Sequence, residues 1–130
     1  MPEFKATPAQ QAAVESRGSA LLVSAGAGSG KTRVLTERLM RSITDPERPV
    51  DLDRVLVITS TRAAAGELRS RIMKELATAL AADPLNRRLR RQSALLHRAQ
   101  IGTIHSFCAA FLRQHSHEAR IGPDFAVLDE

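Results

Sequence analysis

The chain has 130 residues, of which 43% are hydrophobic and 25% are charged, and this predicts one soluble globular domain or one piece of a larger domain. The sequence excludes a membrane-spanning helix, because no apolar run approaches the roughly 20 residues that cross a bilayer, and MPEFKATPAQ at its start has no apolar core of a secretory signal. The 19 Lys and Arg against 14 Asp and Glu give a net charge of +5, which permits binding to a polyanion without proving it, and the single Cys108 excludes an internal disulfide.

The N-terminal part of the sequence predicts a short helix, a strand, a glycine-rich loop and a second helix. In TPAQQAAVES, Thr7 is a candidate N-cap and Pro8 takes the first helical position. ALLVS, from Ala20 to Ser24, is a short apolar run that leads into glycines, which is typical of a buried parallel strand. The next helix begins at about Lys31, and its apolar residues recur every four positions on one face: Leu35, Leu39 and Ile43.

The middle of the sequence predicts a strand and two helices. RVLVITS, from Arg54 to Ser60, is rich in β-branched residues and predicts a second buried strand. A long helix follows from about Arg62 to Ala82 and ends before Pro84. Its apolar residues also step by four: Leu68, Ile72, Leu76 and Leu80. A further helix places three leucines on one side: Leu85, Leu89 and Leu96.

The C-terminal part predicts a short strand, a helix and a closing strand. IGTI is short and β-like, and FAVLDE at the end of the chain is a candidate strand. Between them, HSFCAAFLRQHSH has the apolar spacing of a helix through four residues: Phe107, Cys108, Phe111 and Leu112. Because Cys108 lies among apolar residues, we expect it in the core and not as a nucleophile.

Strands that alternate with helices predict an α/β fold in which a parallel sheet has flanking helices on both faces. In such sheets, ligands bind beyond the carboxyl ends of the strands. The glycine-rich loop directly follows the first predicted strand, so we expect it at this ligand-binding edge.

SAGAGSGKT, from Ser24 to Thr32, fits the phosphate-binding pattern G-x-x-x-x-G-K-[ST] except at its first glycine, which is replaced by Ala25. A phosphate cradle needs successive backbone N–H groups that point at one anion, together with the dipole of the following helix. Gly28 and Gly30 allow the backbone to turn and approach the phosphates closely. Ala25 lies at the strand exit, where a small residue suffices if its φ angle stays negative.

Two further residues of the loop have a direct chemical role in this prediction. Lys31 can reach the β- and γ-phosphates, and Thr32 can place its hydroxyl on Mg²⁺, so we assign both to catalysis and Thr32 to the metal. A flexible Gly/Ser turn is the structural alternative. A dinucleotide site is excluded, because G-x-G-x-x-G requires glycine where Lys31 stands.

AGAGSGKTRVLTERL resembles the first motif of the UvrD/Rep group of superfamily 1 DNA helicases, in which alanine is normal at the start of the loop. The resemblance implies part of a RecA-like P-loop NTPase domain that binds ATP and Mg²⁺. TPAQQAAV resembles the Q motif of the family, which makes Gln10 the residue that reads adenine, since an amide can pair with both N6 and N7. The nucleotide contacts that the resemblance implies are Gln10, Ala25, Gly26, Ala27, Gly28, Ser29, Gly30, Lys31, Thr32 and Arg33.

Arg33 resembles the family's arginine that packs on the adenine face, and a solvated helix arginine is the alternative. Two later stretches resemble the DNA-contacting motifs of the family. TSTRAAAGELRSRI resembles motif Ia, and IGTIHSFC resembles the histidine motif that follows it. The single-strand contacts that they imply are Thr59, Ser60, Arg62, Thr103 and His105.

Two residues of motif Ia depart from the family pattern. Ser60 stands where relatives usually have a base-stacking Phe, and Arg62 stands where they have Asn. A serine cannot stack on a base, so we expect a weaker grip on single-stranded DNA at this point. Arg62 can compensate in part through a phosphate contact or guanidinium stacking.

Two polar clusters have a binding interpretation and a structural one. The arginines of NRRLRRQ could contact DNA phosphates, but we favour a solvated face around a buried Leu89. His115 and His117 point about 200° apart on a helix, so they cannot share one metal ion. Metal-binding helices use i, i+4 spacing instead.

Within the UvrD/Rep group, the linkers are most similar to those of the AddA subfamily, the helicase–nuclease components of AddAB double-strand-break repair complexes. RSITDPERPVDLDRVLVIT and PDFAVLDE carry this likeness beyond the motifs. It implies an ATP-dependent DNA helicase and nuclease in the bacterial cytoplasm that acts on single strands and duplex ends. An AddB-like protein is the implied partner.

AVLDE resembles the Walker B strand, but in the family a similar segment leads into an accessory domain, and the catalytic acids come much later. We therefore expect residues 1–130 to be the N-terminal part of the first motor domain and to lack ATPase activity alone. A UvrD/Rep/PcrA-type translocase without nuclease and a truncated, non-catalytic nucleotide- or DNA-binding stub are the alternatives. A small P-loop kinase would need acceptor and lid sequences that the chain does not contain.

Overall fold

The computed structural model describes residues 5–18 and 20–127. In this part of the chain, six helices flank a sheet of two strands. The helices are α1 (Pro8–Glu15), α2 (Lys31–Thr44), α3 (Arg62–Ala82), α4 (Arg87–Leu95), α5 (Ile104–Gln114) and α6 (Ser116–Ala119). The strands are β1 (Leu56–Thr59) and β2 (Gln100–Thr103). Short 3₁₀ turns precede the two strands, at Leu52–Arg54 and Leu96–Arg98. No helix among the described residues is both long and apolar enough to cross a membrane.

Side-chain caps fix the starts of α1 and α3, and the sequence predicts the cap of α1. The Thr7 side chain accepts a hydrogen bond from the Gln10 backbone N–H, and the Gln10 side chain accepts one from the Thr7 N–H, which forms a capping box. Thr61 caps α3 through the Ala64 N–H at 3.1 Å. The predicted bounds of α3 and the start of α2 at Lys31 are confirmed.

The two strands pair in parallel, with Leu56 opposite Gln100 and Thr59 opposite Thr103. The strand expected over 54–60 and the IGTI strand are therefore confirmed, although β1 is shorter than predicted. Residues Leu52–Arg54 form a 3₁₀ turn instead, because their backbone bonds close locally, as in the Arg54 N–H to the Asp51 carbonyl at 3.0 Å. Parallel pairing puts the carboxyl ends of both strands at one edge of the sheet.

The strand predicted over Ala20–Ser24 is wrong for the described residues, which form no strand there. A strand exists only through its ladder of hydrogen bonds, and neither described strand pairs with this run. Leu22 is accordingly 93% exposed. The closing strand FAVLDE is not seen over 125–127 either, and the rest of it lies outside the described residues.

The main core lies where α3 packs against β2, α2 and α4. The predicted apolar face of α3 is confirmed, with Leu68, Ile72 and Leu76 at 2% exposure or less and Leu80 partly buried against the cluster. Further core residues come from the neighbouring elements: Leu39, Ile43, Leu52, Leu89, Leu96, Ala99 and Ile101. A smaller cluster joins α1 to α2 through Ala13, Val14 and Val34.

Three expectations about buried faces are wrong. Leu35 is 39% exposed, because its neighbour Val34 is the residue of this turn that packs against α1. Leu85 is 80% exposed, because it precedes α4. Cys108 is exposed, and none of the residues of α5 is buried, because its contacts with β1, β2 and α6 cover only part of its surface. The helix predicted over 105–117 also breaks in two at His115, which ends α5.

The arginine-rich helix α4 has a structural role that the sequence did not indicate. Arg88 and Arg91 both pair with Asp51, with N–O distances of 2.5 and 2.9 Å. The fully buried Gln92 donates to Asp51 Oδ1 at 2.7 Å and accepts from the Leu52 N–H at 2.9 Å. The solvated face expected around a buried Leu89 is confirmed for Arg87, Arg90 and Arg91, which are exposed. In addition, Arg88, Arg91 and Gln92 hold the linker between α2 and β1 against α4.

This arrangement makes the stability depend on pH through Asp51. The hydrogen bond from Gln92, with smaller contributions from Arg91 and Arg88, holds the pKa of the Asp51 carboxyl below its usual value of 3.8, although partial burial opposes the shift. A lowered pKa stabilises the folded protein above pH 3.8, and this contribution is lost as the pH falls through the lowered value.

We therefore expect the Asp51→Asn variant to be less stable than the wild type at neutral pH and to lose less stability below about pH 4. Urea unfolding midpoints measured across this range provide the test. Asp53→Asn is the matched control, since Asp53 lies in the same linker and its side chain makes no hydrogen bond within the described residues. Parallel pH profiles for wild type and Asp51→Asn would contradict the prediction.

Candidate functional site

The glycine-rich loop has the backbone conformation that the sequence pattern requires. Gly28 and Gly30 have φ angles of 74° and 81°, which side chains other than glycine rarely adopt. Ser29 closes the turn between them, with its hydroxyl donating to the Gly26 carbonyl at 2.7 Å. Ala25 is not among the described residues with positive φ, so alanine fits at this position without strain.

Lys31 folds back over the loop. Its ammonium Nζ donates to the carbonyl oxygens of Ala25 at 2.7 Å and Gly26 at 2.6 Å. Two loop carbonyls thus contact the ammonium of Lys31, which is the one cationic side chain in the sequence Ser24–Thr32. An anion bound in the loop would meet this ammonium together with the start of α2.

The N-terminus of α2 adds backbone donors to the site. Gly30 is its N-cap, and no side chain within the described residues caps this end of the helix. Within the described residues, the N–H groups of Lys31 and Thr32 therefore have no hydrogen-bond acceptor, and the helix dipole favours a negatively charged one there. Thr32 is exposed in this first turn, and its carbonyl accepts from the Thr36 hydroxyl at 2.9 Å.

Gln10 connects α1 to the loop. Its Nε2 donates to the Ser29 carbonyl at 3.0 Å, and its Oε1 accepts from the Thr7 N–H at 2.9 Å. A cleft of about 340 Å³ lies between α1 and the loop, and Gln10, Ser29 and Lys31 line it. The structure thus brings together the predicted base-reading residue and the predicted phosphate loop.

Arg33 does not line this cleft. Its Nε pairs with Glu37 Oε1 at 3.2 Å, one turn further along α2. Its side chain lines a second cleft of about 300 Å³ with Arg71 and Lys74 of α3. The adenine contact of Arg33 therefore stays a prediction.

The residues expected to contact DNA gather at the carboxyl edge of the sheet. Thr59 and Thr103 end the two strands and lie opposite each other. Ser60 and Arg62 are exposed where β1 leads into α3, and His105 is exposed in the first turn of α5. Thr103 is 9% exposed, and its hydroxyl accepts from the Ser106 N–H at 3.2 Å, so it also caps α5.

Sequence reasoning missed Arg69, which joins the two DNA-motif segments. From α3, its guanidinium donates to the carbonyls of Leu96 at 2.9 Å and Ala99 at 3.1 Å, with a longer contact to Ile101 at 3.4 Å. Arg69 therefore holds the segment that leads into β2 against α3. The only sequence signal was an arginine within the motif Ia stretch, and its acceptors are backbone atoms that sequence alone does not place.

Comparison with known families and proteins extends these local observations to the whole chain. Residues 6–130 match the UvrD/REP helicase N-terminal domain. The chain is 52% identical over 124 residues to an ATP-dependent helicase/nuclease subunit of Pelotomaculum thermopropionicum, and the match covers 95% of this chain and 10% of that protein.

Two further relatives have the same name. The Desulfitobacterium hafniense protein is 53% identical over 129 residues, covering 97% of this chain and 9% of its own length. The Bacillus licheniformis protein is 48% identical over 124 residues, covering 95% of this chain and 10% of its own length. The chain thus spans about a tenth of the length of these curated relatives. With the family match extending over nearly the whole sequence, the chain belongs to the UvrD/REP helicase N-terminal domain family.

Proposed function

We propose that residues 1–130 form the N-terminal part of the first RecA-like motor domain of an ATP-dependent helicase/nuclease. In this proposal the chain supplies the Q motif, the phosphate loop, motif Ia and the histidine motif. The intact enzyme works on single strands and duplex ends in the bacterial cytoplasm during double-strand-break repair, together with an AddB-like partner. The names of the relatives support the helicase and nuclease activities.

The observation that carries the proposal is the geometry of the loop. Two glycines in left-handed conformation, an ammonium at the loop carbonyls and open N–H groups at the start of α2 together form a phosphate-binding arrangement. In the proposal, Gln10 lies beside this loop to read the base. A nucleoside triphosphate offers both the anionic chain and the hydrogen-bonding base that these groups require.

Mg²⁺ fits the donors at this site. Thr32 is exposed beside the open N–H groups of α2, and one protein hydroxyl is enough for Mg²⁺, which usually keeps several waters and takes further oxygens from substrate phosphates. The ion would neutralise phosphate charge during hydrolysis. Lys31 would hold the β- and γ-phosphates, while Thr32 would orient the ion.

The proposal assigns only part of the phosphoryl-transfer chemistry to these residues. None of the described residues that line the cleft is acidic, so none of them offers a carboxylate base for the attacking water. We propose that ATP turnover needs the catalytic acids and the second motor domain of the longer protein. The chain alone then binds nucleotide weakly and does not hydrolyse it.

DNA binding is assigned to the carboxyl edge of the sheet. Thr59 and Thr103 lie opposite each other there, and Arg62 and His105 are exposed beside them. These groups can contact a single strand through its phosphates. The missing aromatic at Ser60 limits stacking, so affinity at this edge depends mainly on charge and on salt.

Titration of the 130-residue chain with Mg-ATP and with oligo(dT), alongside an assay of phosphate release, tests the proposal. We expect saturable ATP binding, salt-dependent DNA binding and no ATP turnover with or without DNA. AMP should bind much more weakly than ATP, because it lacks the phosphates that the loop holds. DNA-stimulated turnover by the chain would contradict the assignment of catalysis to the rest of the protein, and equal affinities for AMP and ATP would contradict the loop's role.

A further inference from the structure

The contact between Gln10 and Ser29 has a consequence for the phosphate loop itself. The Ser29 carbonyl and the Gly30 N–H belong to one peptide unit, which is planar and trans, so they point in opposite directions. By donating to the Ser29 carbonyl at 3.0 Å, Gln10 fixes the direction of the Gly30 N–H. This N–H belongs to the glycine that precedes Lys31 in the phosphate-binding pattern.

The surrounding residues are arranged for this contact. Gly30 has a φ angle of 81°, and a Cβ atom at this position would lie 3.3 Å from Gln10 Nε2. Glycine thus suits the backbone angle, and a larger residue would crowd the Gln10 amide. On its other side, the Gln10 amide is held by the Thr7 N–H at 2.9 Å, within the capping box of α1.

These contacts leave Gln10 able to recognise a base as well. A glutamine amide offers two N–H donors and two acceptor lone pairs, and the protein uses one donor and one acceptor. One donor and one acceptor remain, the pair that an adenine edge requires. Gln10 can therefore hold the loop and face a base at the same time.

We propose that Gln10 is a positioning residue for the phosphate loop: through Ser29 it orients the Gly30 N–H toward the phosphate chain, whatever base that chain carries. This inference rests on the proposed nucleotide site. The inference can be distinguished from base reading, because it predicts that Gln10 also affects the affinity for a ligand that has no base.

The test is calorimetric titration of Mg-tripolyphosphate and Mg-ATP into the wild-type chain and the Gln10→Ala variant. We expect tripolyphosphate to bind about fivefold more weakly to Gln10→Ala, the loss typical of one net hydrogen bond, and ATP to be weakened at least as much. Gln11→Ala is the matched control, since the Gln11 side chain bonds Glu15 on the same helix and does not reach the loop. It should bind both ligands as the wild type does.

An NMR measurement distinguishes the positioning of the loop from a general structural effect of the Gln10→Ala substitution. Without ligand, the amide resonance of Gly30 should shift in Gln10→Ala and stay in place in Gln11→Ala, whereas a general loosening of α1 would not single out this amide. If Gln10→Ala weakens ATP but leaves tripolyphosphate unchanged, the inference is wrong and Gln10 only reads the base. If the wild-type chain binds neither ligand, the proposed nucleotide function itself is wrong.

Discussion

The Lys31→Ala variant should bind Mg-ATP roughly a hundredfold more weakly than the wild type, a loss of about 2.7 kcal/mol. Lys31 is the only lysine in the loop sequence, and its Nζ lies within 2.7 Å of two loop carbonyls, so it is already placed to meet an incoming phosphate. A charge-assisted hydrogen bond to phosphate is stronger than a neutral one, and alanine removes both the charge and the donor. Equilibrium titration with ATP measures the effect.

Arg41→Ala is the control for Lys31→Ala. Arg41 is a cation on the same helix, ten residues further along, and its partner Glu15 lies 3.8 Å away on α1. It should change ATP affinity less than twofold, because surface ion pairs contribute little. Circular dichroism should match the wild type for both variants. Unchanged ATP binding in Lys31→Ala would refute the assignment of the loop to phosphate.

The Ile72→Ala variant should lower the free energy of unfolding by about 3 kcal/mol. Ile72 is fully buried, with 0% of its surface exposed, at the centre of the cluster that joins α3 to the rest of the core. Truncation removes buried methyl groups and leaves a cavity that the surrounding leucines fill only in part. Urea unfolding, followed by the circular dichroism of the helices, measures the change through the midpoint at constant slope.

Met73→Ala provides the comparison for Ile72→Ala on the same helix. Met73 is the next residue along α3, but it is 58% exposed. Its truncation should change the unfolding free energy by no more than about 0.5 kcal/mol. Equal effects of the two substitutions would mean that the face of α3 toward the core has been assigned wrongly.

The elements that could be predicted from sequence are those with local causes. The Thr7 cap and Pro8 set the start of α1, the four-residue spacing of Leu68, Ile72 and Leu76 gives the buried face of α3, and Pro84 marks its end. The backbone turn of the glycine-rich loop was equally accessible, because Gly28 and Gly30 are the residues that adopt positive φ angles most readily. These features need no knowledge of the remainder of the chain.

Features that depend on distant partners could not be predicted in this way. Ala20–Ser24 has the composition of a strand, but strand formation needs a paired neighbour, and composition does not supply one. The bond between Arg88 and Asp51 joins residues 37 positions apart, and the one between Gln10 and Ser29 spans 19 positions. In both cases the sequence shows suitable donors and acceptors, but only the fold brings them together.

The role of Asp51 at helix α4 changes how the charge of the chain should be counted. Among the described residues, six arginines lie in ion pairs with carboxylates: Arg17, Arg33, Arg41, Arg71, Arg88 and Arg91. Charges that are neutralised within the protein release few counterions when a polyanion binds. In the proposed DNA complex, the salt dependence of binding should therefore reflect fewer cations than the 19 Lys and Arg residues of the sequence.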